Sequence, residues 1–288
     1  MGQFEQIQTR KAISSYGGVG SIIETRDGSI LIDSFDKWPF FEHGQFEEHN
    51  YVVDKRFKNR LSKYFQELEH LVKIPENDLK QDFKPENPFA FLSARYFPEW
   101  FYCNNCNRFD RFDNWKSNWE NNVNSEHKDN FFPPKCYHCY VKNRNKKRKF
   151  FDLEQVRFIL TSPNGEIADI PWDKWAMFKN TKKEDKNEHK ETASEEDIIT
   201  LANIQVPDDA IFEYKTSDKL DDLKGIWIIA KRKNGEQINF TTLSGLFNLR
   251  IKIQNLIPNT KEKDILFKPV IRSSNSVYYP NILSSIYI

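Results

Sequence analysis

The chain has 288 residues, of which 38% are hydrophobic and 30% are charged, and its formal net charge is +1. This balance is typical of a globular protein and excludes a membrane protein or a disordered tail, and the length suffices for one large or two small domains. No apolar run reaches the roughly 18 residues that a membrane span requires, and the first residues lack the apolar centre of a signal peptide. We therefore expect a cytoplasmic protein, in whose reducing compartment structural disulfides are not expected.

The first predicted element is a β-hairpin over residues 20–33, with Asp27 and Gly28 at its turn. We interpret the glycines at the start of this hairpin as residues that permit unusual backbone conformations. They are not interpreted as a phosphate-binding loop, since the sequence contains no G-x-x-x-x-G-K-[ST] motif. A long amphipathic helix is predicted next, because apolar residues recur at helical spacing until Pro75 ends the pattern. Its apolar face consists of Val53, Phe57, Leu61, Phe65, Leu68 and Val72.

All four cysteines occur in two C-x-x-C pairs, Cys103 with Cys106 and Cys136 with Cys139. Each pair is a tight knuckle that aims two thiolates at one point, and two such pairs match the ligand arrangement of a structural four-cysteine zinc site. The zinc–thiolate bonds would offset the entropy lost in closing the loop between the pairs. A closed site with four thiolates predicts a Zn²⁺ ion with a structural role and not a catalytic one.

Other interpretations of the cysteines stay open. They are four buried free thiols, a redox-active pair, or a zinc site in which His138 replaces one cysteine, although Cys136 and Cys139 already satisfy the geometry. The loop between the pairs, residues 110–132, is polar and poor in aliphatic residues. Such a composition favours a segment that needs a metal to hold it in place.

A basic run follows the second knuckle, since six of the eight residues from 142 to 149 are Lys or Arg. A basic run beside a zinc knuckle is suited to the phosphate backbone of a nucleic acid, through contacts that weaken with salt and ignore base sequence. The alternative is an ordinary solvated loop. The candidate nucleic-acid-binding residues are Lys142, Arg144, Lys146, Lys147, Arg148 and Lys149.

The middle of the chain predicts a strand over residues 155–160, followed by a turn. The segment 168–177 then brings Trp172 and Trp175 close together in sequence. Residues 180–198 are charged and show no apolar period, which predicts an exposed linker or loop and the best candidate for a domain boundary.

A second strong hairpin is predicted over residues 225–240, with its turn at Asn234 and Gly235. Residues 241–257 are predicted to form a helix, although their periodicity is mixed. The C-terminal sequence is apolar to its last residue, and exposed apolar residues promote association. We therefore expect that the natural chain continues or that a partner covers this end.

Together these elements predict an α+β fold of mixed β-hairpins and helices, with an inserted four-cysteine zinc-knuckle module at about residues 97–150. The predicted organisation is an N-terminal region over residues 1–179 that contains this module, the linker 180–198, and a C-terminal α/β segment over residues 199–288.

One fragment resembles a metal-dependent nuclease motif, namely Pro207-Asp208 followed by Glu213-x-Lys215. In such a nuclease the two acids hold Mg²⁺ and the lysine activates water or steadies the scissile phosphate. The gap between the two halves is shorter than usual, and charged triplets are frequent in a chain of this composition, which favours a surface loop. Because the sequence also lacks H-E-x-x-H and G-x-S-x-G motifs, we do not expect an enzyme.

Four stretches, spread from residue 8 to residue 288, match a known family in the same order. They read QTRKAISSYGGVGSIIETRDGSILIDSFDKW, LSARYFPEWFYCNNCNRF, VRFILTSPNGEIADIPWDKW and VIRSSNSVYYPNILSSIYI. The second resembles an R-F-P-x-W-x-x-C-x-x-C segment and the third a V-R-F-V segment that ends in D-F-P-W. Together they resemble component B of the DISARM anti-phage system (DrmB) and related helicase-associated proteins, over their N-terminal part.

The resemblance implies a bacterial defence protein that accompanies a superfamily-2 helicase and is not itself the motor. It also implies that the four cysteines are zinc ligands. The chain departs from the family in lacking a second cysteine cluster near residues 237–247, so a second zinc site is not expected. Thr161 or Ser162 stands where the family often has Cys, and Glu166 stands where it has His. The family's C-terminal part is missing, which implies a fragment or a short member completed by a separate chain.

The expected function is therefore that of a non-catalytic subunit of an anti-phage defence complex, which binds a superfamily-2 helicase and contacts DNA. One alternative is a structural adaptor that contacts protein alone. Another is a Mg²⁺-dependent nuclease that uses Asp208, Glu213 and Lys215.

Overall fold

A computed structural model describes residues 17–43, 47–73, 91–178, 197–201, 204–217, 223–252, 266–274 and 277. Helices and β-sheets both occur in it, which confirms the predicted α+β class. The chain divides into two compact units at the bond between Tyr96 and Phe97. The described residues of the smaller unit lie between 17 and 96, and those of the larger unit lie between 97 and 277.

The smaller unit contains strands β1 (Ile22–Thr25), β2 (Gly28–Ile32), β3 (Tyr51–Val52), β4 (Leu71–Val72) and β5 (Ala94–Tyr96) and helices α1 (Pro39–Glu42) and α2 (Lys55–Leu61). Strands β1, β2 and β5 form an antiparallel sheet, and β3 pairs with β4. The predicted first hairpin is confirmed: Thr25 pairs with Gly28 across the turn. Gly28 has a φ of 135°, a conformation that suits glycine because a Cβ is absent.

The predicted helix over Val53–Val72 is wrong in length. Helix α2 begins after Asp54, whose side chain accepts the N–H of Phe57 at 2.8 Å, and it ends at Leu61. The chain then turns back so that β4 pairs with β3. The apolar stripe did not sustain a helix because it is not buried: Val53 is 85% exposed and Phe65 is 58% exposed. A stripe of this kind stabilises a helix only when it packs on a core.

The larger unit contains two sheets and three helices among the described residues. Its strands are β6 (Trp100–Tyr102), β7 (Arg108–Arg111), β8 (Glu154–Gln155), β9 (Phe158–Thr161), β10 (Ile167–Asp169), β11 (Asp197–Thr200), β12 (Ala210–Thr216), β13 (Ile226–Arg232), β14 (Gln237–Thr242), β15 (Leu249–Lys252) and β16 (Leu266–Ile271). Its helices are α3 (Phe112–Asn122), α4 (Tyr137–Lys142) and α5 (Trp172–Met177). The strand orders are β14-β13-β12-β7-β6-β8 and β10-β9-β16-β15-β11.

One face of the six-stranded sheet contributes to the main core of the larger unit. Alternate residues of β13, Ile228 and Ala230, are fully buried in it, as expected for a strand with a period of two. Trp172 and Trp175 of α5 pack in the same core with their rings T-shaped and 6.4 Å apart. The single strand predicted over residues 155–160 is instead two strands, since β8 ends at Gln155 in the six-stranded sheet and β9 begins at Phe158 in the five-stranded sheet. The predicted hairpin with its turn at Gly235 is confirmed.

The predicted helix over residues 241–257 is wrong where the structure describes it. Strand β14 continues to Thr242, a 3₁₀ turn spans Leu246–Asn248, and β15 follows directly. Gly245 has a φ of 75°, which interrupts any helix, and Ile251 is fully buried in the sheet between β11 and β16. Residues 253–257 of the predicted helix lie outside the described residues.

The predicted linker at residues 180–198 falls almost entirely outside the described residues. Strands from both sides of it join the same sheets, since β7 pairs with β12 and β9 pairs with β16. The two compact units divide at a different place, before Phe97. The unit that begins there also contains both cysteine pairs and the basic run.

Candidate metal centre and the adjoining basic segment

The first knuckle is the loop of the β6–β7 hairpin. The N–H of Cys103 donates to the carbonyl of Arg108 at 2.9 Å, and the N–H of Asn107 donates to the carbonyl of Cys103 at 2.7 Å. Asn107 has a φ of 60°, in the left-handed region that Asn tolerates better than most residues. This tight turn fixes Cys103 and Cys106 at one end of the six-stranded sheet.

The second knuckle is the start of helix α4. Cys136 precedes the helix, its N–H donates to the carbonyl of Phe151 at 2.9 Å, and its sulfur accepts the N–H of Cys139 at 3.4 Å. The thiol of Cys136 therefore acts as the N-terminal cap of α4. A bridge between Lys135 and Asp152 ties this knuckle to the segment that leads into β8.

The four sulfur atoms converge on one point. The Sγ atoms of Cys103 and Cys139 are 3.7 Å apart, and those of Cys106 and Cys136 are 3.6 Å apart. All four Sγ atoms lie within 4.8 Å of one another, and Cys106 is the only one of the four residues that is not buried. Both short separations join one knuckle to the other. The four cysteines are thus positioned to bind a metal ion.

The geometry fits a tetrahedral ion. Zn–S bonds of about 2.3 Å place the sulfurs of a tetrahedral four-thiolate site about 3.8 Å apart. Two of the six sulfur–sulfur separations, 3.7 Å and 3.6 Å, agree with that edge length. The predicted ligand set therefore fits, whereas the identity of the ion rests on the chemistry of the donors.

Each sulfur also accepts a hydrogen bond from a nitrogen. Asn105 Nδ2 donates to Cys139 Sγ at 3.2 Å across the knuckles, and the N–H of Cys139 donates to Cys136. The backbone N–H groups of Cys106 and Arg108 donate to Cys103 and Cys106. Such donors stabilise a thiolate more than a thiol, and a thiolate is the form that binds a metal.

The thiols influence one another's ionisation when they hold protons and no metal. Hydrogen bonds with Cys106 and Cys136 lower the pKa of Cys103 and that of Cys139. Hydrogen bonds with Cys103 and Cys139, together with burial, raise the pKa of Cys106 and that of Cys136. A cation at the centre would displace these shared protons, so metal binding must release protons and weaken as the pH falls.

His138 was the candidate to replace one cysteine. It lies inside the second knuckle but does not belong to the group of converging donor atoms. In the described part of the chain that group consists of the four cysteines.

Aromatic side chains surround the second knuckle. Trp115 of α3 donates its indole N–H to the carbonyl of Phe101 at 3.1 Å, and its ring meets Tyr137 at 5.6 Å. Trp119 donates to the carbonyl of Lys128 at 3.0 Å and packs 5.5 Å from the fully buried ring of Tyr140. The loop between the cysteine pairs is therefore held by aromatic packing in addition to the cysteines.

The basic run begins in the last turn of α4 and leaves it as an exposed segment. Lys142, Arg144, Lys146, Lys147 and Arg148 are exposed and Lys149 is half-buried. No carboxylate among the described residues pairs with any of these six side chains. Their positive charge is thus available to an anion in solution.

Two of these cations are held against aromatic rings. The guanidinium of Arg148 lies 4.9 Å from the ring centroid of Phe151. Lys149 Nζ lies 5.6 Å from the ring of Phe150 and 5.8 Å from that of Tyr140. Because Tyr140 follows the metal-site residue Cys139 directly, these contacts connect the basic segment to the cysteine cluster.

The nuclease-like residues lie elsewhere on the six-stranded sheet. Asp208 is exposed in the turn before β12. Glu213 lies within β12, where Lys231 Nζ is 2.6 Å and Lys215 Nζ is 3.3 Å from its carboxylate oxygens. Burial alone would raise the pKa of Glu213, but the hydrogen bonds from the two lysines outweigh it and the net shift is downward. These residues do not form a converging metal-donor group in the described part of the chain.

Sequence reasoning missed three contacts that shape the site: the bond from Asn105 to Cys139, the stacking of Arg148 on Phe151, and the hydrogen bond from Tyr102 to Glu154 at 2.9 Å. The asparagine inside the first C-x-x-C was the one local signal for the first of them. The third joins residues far apart in sequence and had no signal.

A family model described as a domain of unknown function, DUF8724, matches residues 8–279. The chain belongs to the DUF8724 family. The match spans both cysteine pairs and the basic run, so these features lie within the DUF8724 domain. A search of curated proteins found no match. None of the helices in the described ranges of this DUF8724 chain has the length and apolar character needed to cross a bilayer.

Proposed function

We propose that this DUF8724 protein is a non-catalytic subunit that holds a structural Zn²⁺ ion and contacts DNA through the exposed segment 142–149. The observation that carries the proposal is the continuity of the two features. Helix α4 starts at one cysteine pair and ends in the basic run, and the run folds back onto Tyr140 beside Cys139.

The donor set supports zinc. Four thiolates in a tetrahedron favour Zn²⁺ over ions that prefer oxygen ligands, such as Mg²⁺ and Ca²⁺. Residues Cys103, Cys106, Cys136 and Cys139 would hold the ion, and the ion would join the β6–β7 loop to α4. Four protein ligands leave no coordination position for water or substrate, so the proposed role is structural.

The charge and exposure of the basic segment support a phosphate-bearing partner. Exposed Lys and Arg side chains without carboxylate partners attract a polyanion, and the binding free energy comes largely from the counterions that the nucleic acid releases. The stacking of Arg148 and Lys149 on aromatic rings reduces the freedom that these side chains lose on binding. A surface of this kind contacts the DNA backbone without reading its base sequence.

The biological setting rests on the resemblance to DrmB. It supports a cytoplasmic anti-phage complex in which this subunit binds a superfamily-2 helicase. The proposed DNA contact would then place the subunit beside the helicase on the same nucleic acid.

The experiment is a comparison of two charge-reversal variants by fluorescence anisotropy with a labelled DNA duplex. Changing Lys146, Lys147 and Arg148 to Glu should weaken binding at least about tenfold, equivalent to about 1.4 kcal/mol. The matched control changes Lys55, Lys63 and Lys233, three exposed lysines outside the run, to Glu. It alters the net charge equally and should leave most of the affinity intact.

Zinc content is measured in both variants to verify that the metal site survives. Equal loss in the two variants would show that net charge and not this segment governs binding. Absence of DNA binding by the wild-type protein would refute the DNA contact and favour the adaptor that binds protein alone.

A further inference from the structure

Strand β14 is the longest edge strand of the two large sheets among the described residues, and it lacks the charged residues and the proline that often protect a sheet edge. The other edge strands, β8, β10 and β11, have two to four residues and each contains an acidic residue. Strand β14 has six residues, QINFTT, with no charge and no proline. Exposed edges of this kind are templates for pairing with another strand.

The hydrogen-bond register shows which backbone groups of β14 face outward. The N–H of Leu243 donates to the carbonyl of Ile226, the first residue of β13, at 3.2 Å. Bonded pairs recur at every second residue of an antiparallel ladder, so Thr241 and Asn239 also bond to β13. The N–H and C=O groups of Phe240 and Thr242 therefore point away from the sheet. Within the described ranges, no strand pairs with this side of β14.

The edge is held in place from the inside. Asn239 Nδ2 donates to the carbonyl of Ala176 in α5 at 2.7 Å, and thereby anchors the middle of β14 on the core side. The side chain of Phe240 lies on the opposite face and is 48% exposed. A β-bulge at Ile238, between the pairs of Asn239 and Gln237 with β13, ends the regular ladder. The regular, outward-facing stretch therefore consists of residues 239–242.

We propose that this stretch of β14 pairs with the same stretch of a second copy of the chain, antiparallel and across a two-fold axis, and joins the two six-stranded sheets into one. Two outward donors and two outward acceptors alternate along the edge, and an antiparallel copy with the same spacing satisfies all of them. Because the strand is uncharged, the pairing brings no like charges together. It also covers part of the exposed side chain of Phe240.

Four residues a side form a small contact, so the dimer should dissociate on dilution. Analytical ultracentrifugation over a concentration series should show a reversible monomer–dimer equilibrium of the wild-type chain. Thr242→Pro removes one outward N–H but no bond to β13, since proline is tolerated where the N–H of an edge strand faces solvent. Its dimer affinity should fall at least about tenfold, a change of about 1.4 kcal/mol. Thr242→Ala keeps the N–H and is the matched control, which should dimerise like the wild type.

Hydrogen exchange resolved by residue provides an independent readout. The amides of Phe240 and Thr242 should become protected as the concentration rises, whereas those of Asn239 and Thr241 should be protected throughout. Phe240→Lys, which introduces a common edge-protecting charge, should abolish the dimer if Thr242→Pro fails to fold.

A chain that stays monomeric up to its solubility limit, with the Phe240 amide exchanging freely, would overturn the proposal. A dimer that Thr242→Pro or Phe240→Lys leaves intact would also overturn it, because the contact would then lie elsewhere.

Discussion

The most informative single substitution is Cys136→Ser, which removes one sulfur from the cysteine cluster with little change in volume. Cys136 is fully buried, and its sulfur lies 3.6 Å from that of Cys106 and caps α4 by accepting the N–H of Cys139. Apparent zinc-binding free energies of about 10–16 kcal/mol for structural sites correspond to about 3 kcal/mol per ligand. Serine also accepts hydrogen bonds at an N-cap, so the cap is retained and we expect a total near 3 kcal/mol.

A change of this size has measurable consequences. A domain of about 150–250 residues loses about 2–4 °C in melting temperature per kcal/mol, so the variant should melt about 10 °C lower than the wild type. Zinc content, measured by elemental mass spectrometry, should fall from about one ion per chain to well below that value. Circular dichroism and thermal scans of the same samples report the stability.

Asn105→Ala is the matched control. It removes one N–H···S hydrogen bond and leaves all four ligands, so it should retain zinc and lose only about 1 kcal/mol. A Cys136→Ser protein that keeps its full zinc content and its melting temperature would refute the assignment of the four cysteines as one metal site. A wild-type protein that binds no metal on refolding with Zn²⁺ would refute it as well.

Three further predictions concern the rest of the larger unit. Glu213→Gln should lower the free energy of unfolding at pH 7 by less than about 1 kcal/mol. The folded-state pKa of Glu213 is lowered from its ordinary value of 4.5, so the difference between variant and wild type should vanish as the pH falls below that pKa. Urea titrations at pH 7 and at acidic pH measure both values. The nuclease alternative requires Mg²⁺-dependent DNA cleavage that Asp208→Ala abolishes, whereas we expect none from the wild type in a gel assay. Phe151→Leu should free Arg148 and weaken DNA binding about twofold to fourfold, measured by anisotropy, with zinc content unchanged.

Local sequence signals predicted the elements whose cause is local. Both hairpins were correct because their turns carry Gly28 and Gly235 at positive φ between alternating strands. The cysteine cluster was predicted for the same reason, since each C-x-x-C forms its own knuckle and the chemistry of thiolates implies a common partner.

The errors concern contacts between distant residues. The helix predicted over Val53–Val72 depended on a stripe of apolar residues that does not pack on a core. The last residues of that segment form β4, which pairs with β3. In the helix predicted over residues 241–257, the burial of Ile251 between two other strands decided the outcome. Periodicity describes one segment and carries no information about which other segment it meets.

The same limit applies to the candidate site. The basic residues 142–149 were evident in the sequence, but the absence of carboxylate partners among the described residues and the stacking of Arg148 on Phe151 were not. These contacts depend on how α4 and the segment after it fold back together. These contacts make the basic segment a candidate nucleic-acid-binding surface.

The salt dependence of DNA binding tests the central claim most directly. Each neutralised phosphate contributes about −0.9 to the slope of log K against log salt. With up to six cations in the segment 142–149, the wild-type slope should lie between about −3 and −5, and changing Lys146, Lys147 and Arg148 to Glu should make it shallower by about 3. A slope that is the same in both proteins would contradict the proposed role of this segment.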